Sequence, residues 1–310
     1  MAKVLISDKI EAVCPERLRA AGLEVDEISS LDPAALAACI GHYDALIIRS
    51  ATRVDQAVLE AGASGLLKMV ARAGAGLDNV DLEAARRLGV EVVNTPGLNA
   101  NAVAELTVGL MIVLARRLGP AIVSLREGRW EKKGLSGTEL AGKTLGLVGL
   151  GAVGRLTAAK AAALGLTPLA HDPLLTAEQI RDAGARPVEL DELWSASDFV
   201  SLHLPKTPQT TNLVDEAVLA RFKKTAFLIN CARGGLVDEA ALHRALTSGR
   251  LAGAAFDVFA VEPPGRSPLL ELPNFVGAPH LGASTEEAQL GVALKAAELV
   301  AARLAGPGPA

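Results

Sequence analysis

Residues 143–154 read Lys143-Thr-Leu-Gly-Leu-Val-Gly-Leu-Gly-Ala-Val-Gly154, an apolar run that ends in three spaced glycines and passes into a helical pattern from Arg155 to Leu164. A short, continuous apolar run is what a strand covered on both faces looks like, and each glycine then has its own physical reason. Gly149 permits a tight turn, Gly151 lets backbone approach a pyrophosphate, and Gly154 lets the helix pack closely on the strand. Phosphate oxygens would meet the N–H groups and the positive dipole end of that helix. A second apolar run, 167–171, ends at Asp172, where a carboxylate can bind the ribose hydroxyls of a dinucleotide and repel the extra phosphate of NADP. Glycine triplets also serve plain packing, but here strand, glycines, helix, strand and acid follow in the order a dinucleotide site requires. NAD is the expected cofactor. His171, beside the acid, reads as a sheet-end residue.

Working outward, the same alternation fills the chain. Apolar runs at 4–7, 45–49, 68–71 and 90–94 precede the glycine turn; those at 144–149, 167–171, 199–203, 226–230, 252–257 and 275–278 belong with it. Helical patterns such as 34–39, 82–88, 152–164 and 240–248 lie between them. Apolar strands separated by helices imply parallel sheets covered on both faces, and the length suits two domains. The fold class expected is α/β with two doubly wound sheets. A boundary is expected near Thr95-Pro96-Gly97, before a long helix over 102–117, and 118–142 reads as an arm or connection around Trp130. Ser284-Thr-Glu-Glu287 matches a capping box opening the last helix, which the tail from Gly306 stops. The division expected is a flavodoxin-like substrate domain of residues 1–97 and 284–310, interrupted by a Rossmann domain of residues 98–283, with substrate in the cleft between them.

Composition removes several alternatives. Half the 310 residues are apolar and 21% are charged, with both signs spread along the chain, a soluble globular pattern. A net charge of −4 offers no long-range attraction to nucleic acid or an anionic membrane. The N-terminus lacks the apolar core of a secretory signal, and the stretch 102–115 is too short and too polar, with Glu105 and Thr107, to span a bilayer. Cys14, Cys39 and Cys231 are isolated and the five histidines lack ligand spacing. No metal site and no disulfide framework are expected, and a reduced cytoplasmic setting is.

Three side chains in the second half fall at the ends of successive strands. Arg233 lies in Asn230-Cys-Ala-Arg-Gly-Gly235, Glu262 follows Asp257-Val-Phe259, and His280 lies in Pro279-His-Leu-Gly-Ala283. The carboxyl ends of parallel strands form the ligand crevice, so the three can converge. Singly, each has a bland reading: a turn arginine, a solvated loop acid, a structural histidine. Together, behind a dinucleotide turn, they supply the cation, the acid and the tuning group that hydride transfer on a 2-hydroxy acid needs.

Arg49-Ser-Ala-Thr52, Arg72-Ala-Gly-Ala-Gly-Leu-Asp-Asn-Val-Asp81, Asn94-Thr-Pro96, Asn230-Cys-Ala-Arg-Gly-Gly235, Asp257-Val-Phe259 and Pro279-His-Leu-Gly-Ala-Ser-Thr285 are further ordered motifs. With them the chain resembles, over essentially its whole length, the D-isomer-specific 2-hydroxyacid dehydrogenases. Within that family it is most similar to the branch that oxidises 3-phospho-D-glycerate to 3-phosphohydroxypyruvate with NAD, the first step of serine biosynthesis. The resemblance implies that His280 is the general acid/base, that Glu262 orients it and stabilises its charged form, and that Arg233 grips the substrate carboxylate. It also implies cofactor contacts at Ala75, Gly149, Gly151, Ala152, Val153, Gly154, Asp172, Leu204, Cys231, Ala232, Arg233, Asp257, His280, Gly282 and Ala283. Substrate contacts would come from Arg49, Ser50, Arg72 and Gly74 with Arg233 and His280, the arginines serving a phosphate. Many relatives have threonine where this chain has Ala75, which removes a hydroxyl contact and leaves a backbone one. Cys231 reads as a small packed residue rather than a nucleophile, and Asp257 equally as a strand-end cap.

A homodimer or higher homo-oligomer is expected, with Lys132 and Lys133 able to reach a neighbouring subunit's site. A glyoxylate or hydroxypyruvate reductase needs the same Arg, Glu and His without a phosphate pocket, so Arg49 and Arg72 discriminate against it. An NAD-sensing corepressor-like binding protein is the alternative from another class. Larger relatives carry a C-terminal domain that binds serine; this chain stops soon after the final helix, so that feedback is not expected.

Overall fold

The structure, a computed structural model, describes residues 1–305. The tail from Gly306, expected to stop the last helix, lies outside the described residues. The chain divides into two compact units: Met1–Asn99 with the segment from Ala283 onward, and Ala100–Gly282.

The first unit runs β1 (Lys3–Ile6), α1 (Val13–Ala20), β2 (Glu24–Glu27), α2 (Pro33–Ile40), β3 (Ala45–Ile48), α3 (Gln56–Ala63), β4 (Met69–Arg72), α4 (Leu82–Leu88) and β5 (Glu91–Asn94). Its parallel sheet has the order β2-β1-β3-β4-β5, the flavodoxin-like arrangement. Successive side chains of a strand face opposite sides, so each apolar run feeds two cores. Val4, Ile6, Ile47 and Met69 pack on α1, while Leu5, Leu46, Ile48 and Val70 pack on residues of α2, α3 and α4.

The second unit runs α5 (Ala100–Ala115), α6 (Leu118–Arg126), β6 (Thr144–Val148), α7 (Ala152–Ala163), β7 (Thr167–His171), α8 (Ala177–Asp182), β8 (Arg186–Pro187), α9 (Leu190–Ala196), β9 (Phe199–Leu202), α10 (Glu216–Leu219), β10 (Phe227–Asn230), α11 (Glu239–Thr247), β11 (Gly253–Phe256) and β12 (Phe275–Gly277). The sheet order is β12-β11-β10-β9-β6-β7-β8, all parallel. Numbered from β6, this is the Rossmann order with one added strand, and the chain reverses direction across the sheet between β6 and β9. The chain then returns to the first unit as α12 (Glu286–Leu304), whose Val292, Ala293 and Ala296 complete the core beside β1 and α1. The fold class expected from the alternation is the one observed.

Three local expectations are corrected. Residues 118–126, read as part of an arm or connection with no helix of its own assigned, form helix α6; Arg117 enters a left-handed conformation (φ 52°) and turns α6 by 70° from α5. Only Ser124 of that helix is buried, so no apolar stripe announced it. The last helix is capped by Thr285, whose hydroxyl accepts the Ala288 N–H at 3.2 Å, not by Ser284. One residue of shift puts alanine at the position where a capping box needs Glu or Gln. β2 and β8, both edge strands, went unread because Glu24-Val-Asp-Glu27 and Arg186-Pro187 carry almost no apolar signal. No single helix among the described residues is long and apolar enough to cross a membrane.

Both sheets are stapled in the same way at the amino ends of their central strands. Asp44, just before β3, accepts the Lys3 N–H of β1 at 2.9 Å and the Lys68 ammonium at 2.8 Å. Asp198, just before β9, accepts the Thr144 N–H of β6 at 3.0 Å and the Lys223 ammonium at 2.9 Å. Burial works against ionisation of both carboxyls, but the lysine and the backbone donor outweigh it and hold both below the ordinary value of 3.8. A depressed folded value means the stabilisation is complete above the unfolded pKa and vanishes as pH falls through the folded one. Asp44→Asn and Asp198→Asn are therefore each expected to lose roughly 1.5–3 kcal/mol in urea unfolding at pH 7. The deficit relative to the parent should shrink as pH falls below the ordinary carboxyl value of 3.8 and through the lower folded one; a deficit that does not change with pH would contradict this account.

Candidate active site

The glycine turn joins β6 to α7 as its sequence demands. Gly149 has φ 92°, a conformation that side chains resist, and a Cβ there would run into the His203 carbonyl. A Cβ on Gly154 would lie 2.5 Å from the Gly149 carbonyl oxygen, so this glycine keeps the helix against the turn. At Gly151 a Cβ would meet nothing within 4 Å. Gly151 is also the N-cap of α7, and no side chain among the described residues caps that helix. Its first-turn N–H groups, with Ala152 and Val153, therefore border open space with the helix dipole behind them, a cradle fitted to a pyrophosphate. Gly149→Ala is expected to cost roughly 2 kcal/mol or more in stability and Gly151→Ala about 1 kcal/mol or less. Denaturant unfolding checks the pair, and equal losses would mean the two glycines are not kept for different reasons.

Asp172 does more than face this turn. Its Oδ2 accepts the Leu150 N–H at 2.8 Å, inside the turn, and its Oδ1 accepts the Leu174 N–H at 2.9 Å. A carboxylate has about four acceptor directions, so capacity for hydroxyl donors remains. Leu204 stands at the opposite wall: its N–H would lie 3.4 Å from a Cβ on Gly149, and His203 pairs with Val148 through a 2.8 Å backbone bond. His203 was not anticipated. As a whole it is half-buried, but enclosure of its ring pushes the imidazole down to about 4, and Nε2 lies 2.9 Å from Ser201 Oγ. A neutral ring thus backs the turn. A histidine closing an apolar strand, as in Ser201-Leu-His203, was the available signal.

At the ends of β10, β11 and β12 backbone contacts tie together the loops that carry Arg233, Glu262 and His280, and the last two side chains meet. The Asp257 N–H donates to the Asn230 carbonyl at 2.9 Å, and the His280 N–H to the Asp257 carbonyl at 2.9 Å. The turn carrying Arg233 is closed by Asn230, whose amide donates to the Arg233 carbonyl at 2.9 Å and whose side-chain oxygen accepts the Ala232 N–H at 3.1 Å. The Arg233 guanidinium donates to the Ala232 carbonyl at 2.7 Å. Gly234 allows this turn to press on the next loop, since a Cβ there would collide with the Phe259 carbonyl. Three residues on, Glu262 accepts the Phe259 N–H on Oε1 at 3.0 Å and faces His280 Nδ1 with Oε2 at 2.7 Å. Lys206, also unanticipated, lies over the same turn, with its ammonium 2.7 Å from the position of a Cβ on Gly235.

His280 adopts φ 55°, unusual for a residue with a side chain, and Asp257 holds it there. The buried Asp257 carboxylate accepts the Leu281 N–H at 2.7 Å and the Gly282 N–H at 2.8 Å. Burial raises its pKa, and the two backbone donors and nearby His280 oppose that rise. The strand-end cap reading of Asp257 is the one its contacts express. Cys231 is buried, and burial pushes its thiol up to about 12, which suits a packed residue and not a nucleophile. Among the described residues no cluster of metal-ligating side chains occurs.

The remaining expected residues, Lys132 and Lys133 aside, belong to the first unit. Arg49 follows β3 and Arg72 ends β4, both partly buried, and Ser50 is exposed. Gly74 is lodged against the Arg72 guanidinium, which a Cβ there would strike. The Ala75 carbonyl accepts the Asn94 amide at 2.6 Å. Ala283 begins the return segment, and so lies in the first unit rather than in the nucleotide-binding one. Lys132 rests over the Trp130 ring, 5.8 Å from its centroid.

Comparison with known proteins agrees with this fold. Residues 108–282 match the sequence model of the D-isomer specific 2-hydroxyacid dehydrogenase, NAD binding domain. The chain belongs to the D-isomer-specific 2-hydroxyacid dehydrogenases, and its second unit is that family's NAD-binding domain. It is 46% identical over 300 residues to the D-3-phosphoglycerate dehydrogenase of Synechocystis sp., covering 97% of this chain and 54% of the relative. The chain thus spans about half the length of the curated relatives it matches. Among solved structures, the TT0316 protein of Thermus thermophilus superposes with a TM-score of 0.88 at 36% identity, covering 99% of this chain and 98% of that one. A glyoxylate reductase from Paecilomyes thermophila gives 0.88 at 31% identity, covering 97% and 94%.

Proposed function

We propose that this protein oxidises 3-phospho-D-glycerate to 3-phosphohydroxypyruvate with NAD, the reaction that opens serine biosynthesis. The observation that carries the chemistry is the 2.7 Å contact between His280 Nδ1 and Glu262 Oε2. A carboxylate is an acceptor only, so Nδ1 carries the hydrogen and Nε2 of the neutral ring keeps its lone pair. Nε2 takes the proton of the substrate's C2 hydroxyl, and Glu262 stabilises the imidazolium that forms. Arg233 grips the substrate carboxylate with its planar fork and sets the angle at C2. When bound, NAD supplies the acceptor for the hydride leaving C2. The first turn of α7 holds its pyrophosphate, and Asp172 its ribose hydroxyls. Run in reverse, His280 returns the proton to the ketone oxygen.

The phosphorylated substrate rests on two supports: relatives of that name at 46% identity, and Arg49 and Arg72 at strand ends, cations suited to a phosphate. The similar glyoxylate reductase structure keeps an unphosphorylated substrate as the second reading. NADH oxidation measured side by side with phosphohydroxypyruvate, hydroxypyruvate and glyoxylate decides between them. The proposal expects kcat/KM for the phosphorylated acid to exceed the others by roughly a hundredfold, the worth of one or two charge-assisted contacts. Equal or reversed values would establish the second reading. His280→Asn is expected to lower kcat by about 10²–10⁴ while NADH affinity changes little; near-normal turnover would remove His280 from its role.

A further inference from the structure

In the first unit, the loop Arg49-Ser-Ala-Thr52 at the end of β3 is tied down at both ends by two residues distant in sequence. Asp8, which follows β1 and is 7% exposed, accepts the Arg49 N–H at 2.5 Å and the Thr52 N–H at 3.2 Å on Oδ2. Its Oδ1 accepts the Thr52 hydroxyl at 2.8 Å. From the other side, the Asn79 amide donates to the Arg49 carbonyl at 2.8 Å and the Thr52 carbonyl at 2.6 Å. The N–H and the C=O of both end residues are thus consumed, while Ser50 and Ala51 between them are exposed. Arg49 is anchored once more by its guanidinium on the Lys9 carbonyl at 3.2 Å.

We propose that Asp8 and Asn79 are positioning residues that set the specificity of this enzyme for a phosphorylated acid, by holding Arg49 and Ser50 rigid for the anionic tail of the substrate. This rests on the assignment of Arg49 and Ser50 to the substrate made above. The physical reason is entropic. A loop already fixed by four backbone bonds loses little freedom when an anion arrives, whereas an untied one must be ordered at that moment. The need for these two residue types is chemical. Two backbone N–H groups converge on one oxygen of Asp8, and an ionised carboxylate holds them more strongly than a neutral asparagine oxygen would. Asn79 must donate twice, to two carbonyls.

The test is the ratio of kcat/KM for phosphohydroxypyruvate over hydroxypyruvate in the full chain, with NADH dissociation constants measured alongside. Asp8→Asn is expected to lower that ratio roughly tenfold, about 1.4 kcal/mol, mainly through KM for the phosphorylated acid, with NADH affinity unchanged. Asn79→Ala should move the ratio in the same direction and carries the test if Asp8→Asn does not fold. A fall in kcat/KM equal for both acids, or one accompanied by weakened NADH binding, would show a merely structural role and overturn the proposal. Arg49→Ala separates the two levels. If it lowers the ratio and neither clamp variant does, the clamp alone is wrong; if it leaves the ratio unchanged, the assignment of Arg49 beneath it is wrong as well.

Discussion

Loops leaving the carboxyl ends of a parallel sheet carry backbone N–H groups that have no ladder left to join, and in this protein aspartate carboxylates take them. Asp8 does so for the loop after β3, Asp172 for the glycine turn, and Asp257 for the loop of His280. Each sits just past a strand, so its position is fixed by the sheet, and each accepts at least two donors. A buried polar group left unsatisfied costs about 1–3 kcal/mol, so these bonds define single loop conformations rather than decorate them. The irregular segments that bear the candidate site residues inherit the rigidity of the strands in this way. His280 shows the consequence most plainly: a left-handed backbone that would be unfavourable in isolation is held by the two N–H groups that follow it.

The two units repeat one division of labour. At their amino ends Asp44 and Asp198 make equivalent staples, each joining the strands beside the switch point and taking a lysine. There the carboxylate is balanced by a fixed cation and serves stability. At the carboxyl ends of the strands Asp8, Asp172 and Asp257 are satisfied chiefly by backbone donors, and the candidate arginine, histidine and glutamate residues stand on loops at that same edge. In parallel sheets ligands bind at that carboxyl edge, away from the lysine-balanced staples at the amino ends.

Much of this was legible in the sequence because it rests on periodicity and on glycine. The central strands are apolar runs with no competing pattern, and Gly149, Gly151 and Gly154 each occupy the environment their spacing implied. What escaped detection lacked a local signal. β2 is an edge strand in which only Val25 is buried, and α6 presents Ile122, Val123 and Leu125 to the surface. Asp8 and Asn79 are ordinary polar residues until folding brings them across 41 and 27 or 30 positions of chain. The pairing of Glu262 with His280 could be read only through family resemblance, since a loop acid before two prolines has no periodicity to betray its partner. The hydrogen bonds that make a site are tertiary facts.

The central claim is that a loop anchored by Asp257 presents His280, already oriented by Glu262, to the oxygen on the reacting carbon of the substrate. A crystal structure of the protein with NAD and a D-2-hydroxy acid bound tests it most directly. The account predicts His280 Nε2 within about 3.2 Å of that oxygen, with Nδ1 still on Glu262 and the Leu281 and Gly282 N–H groups still on Asp257. An imidazole turned away from the oxygen, or an oxygen met by a different proton carrier, would contradict it.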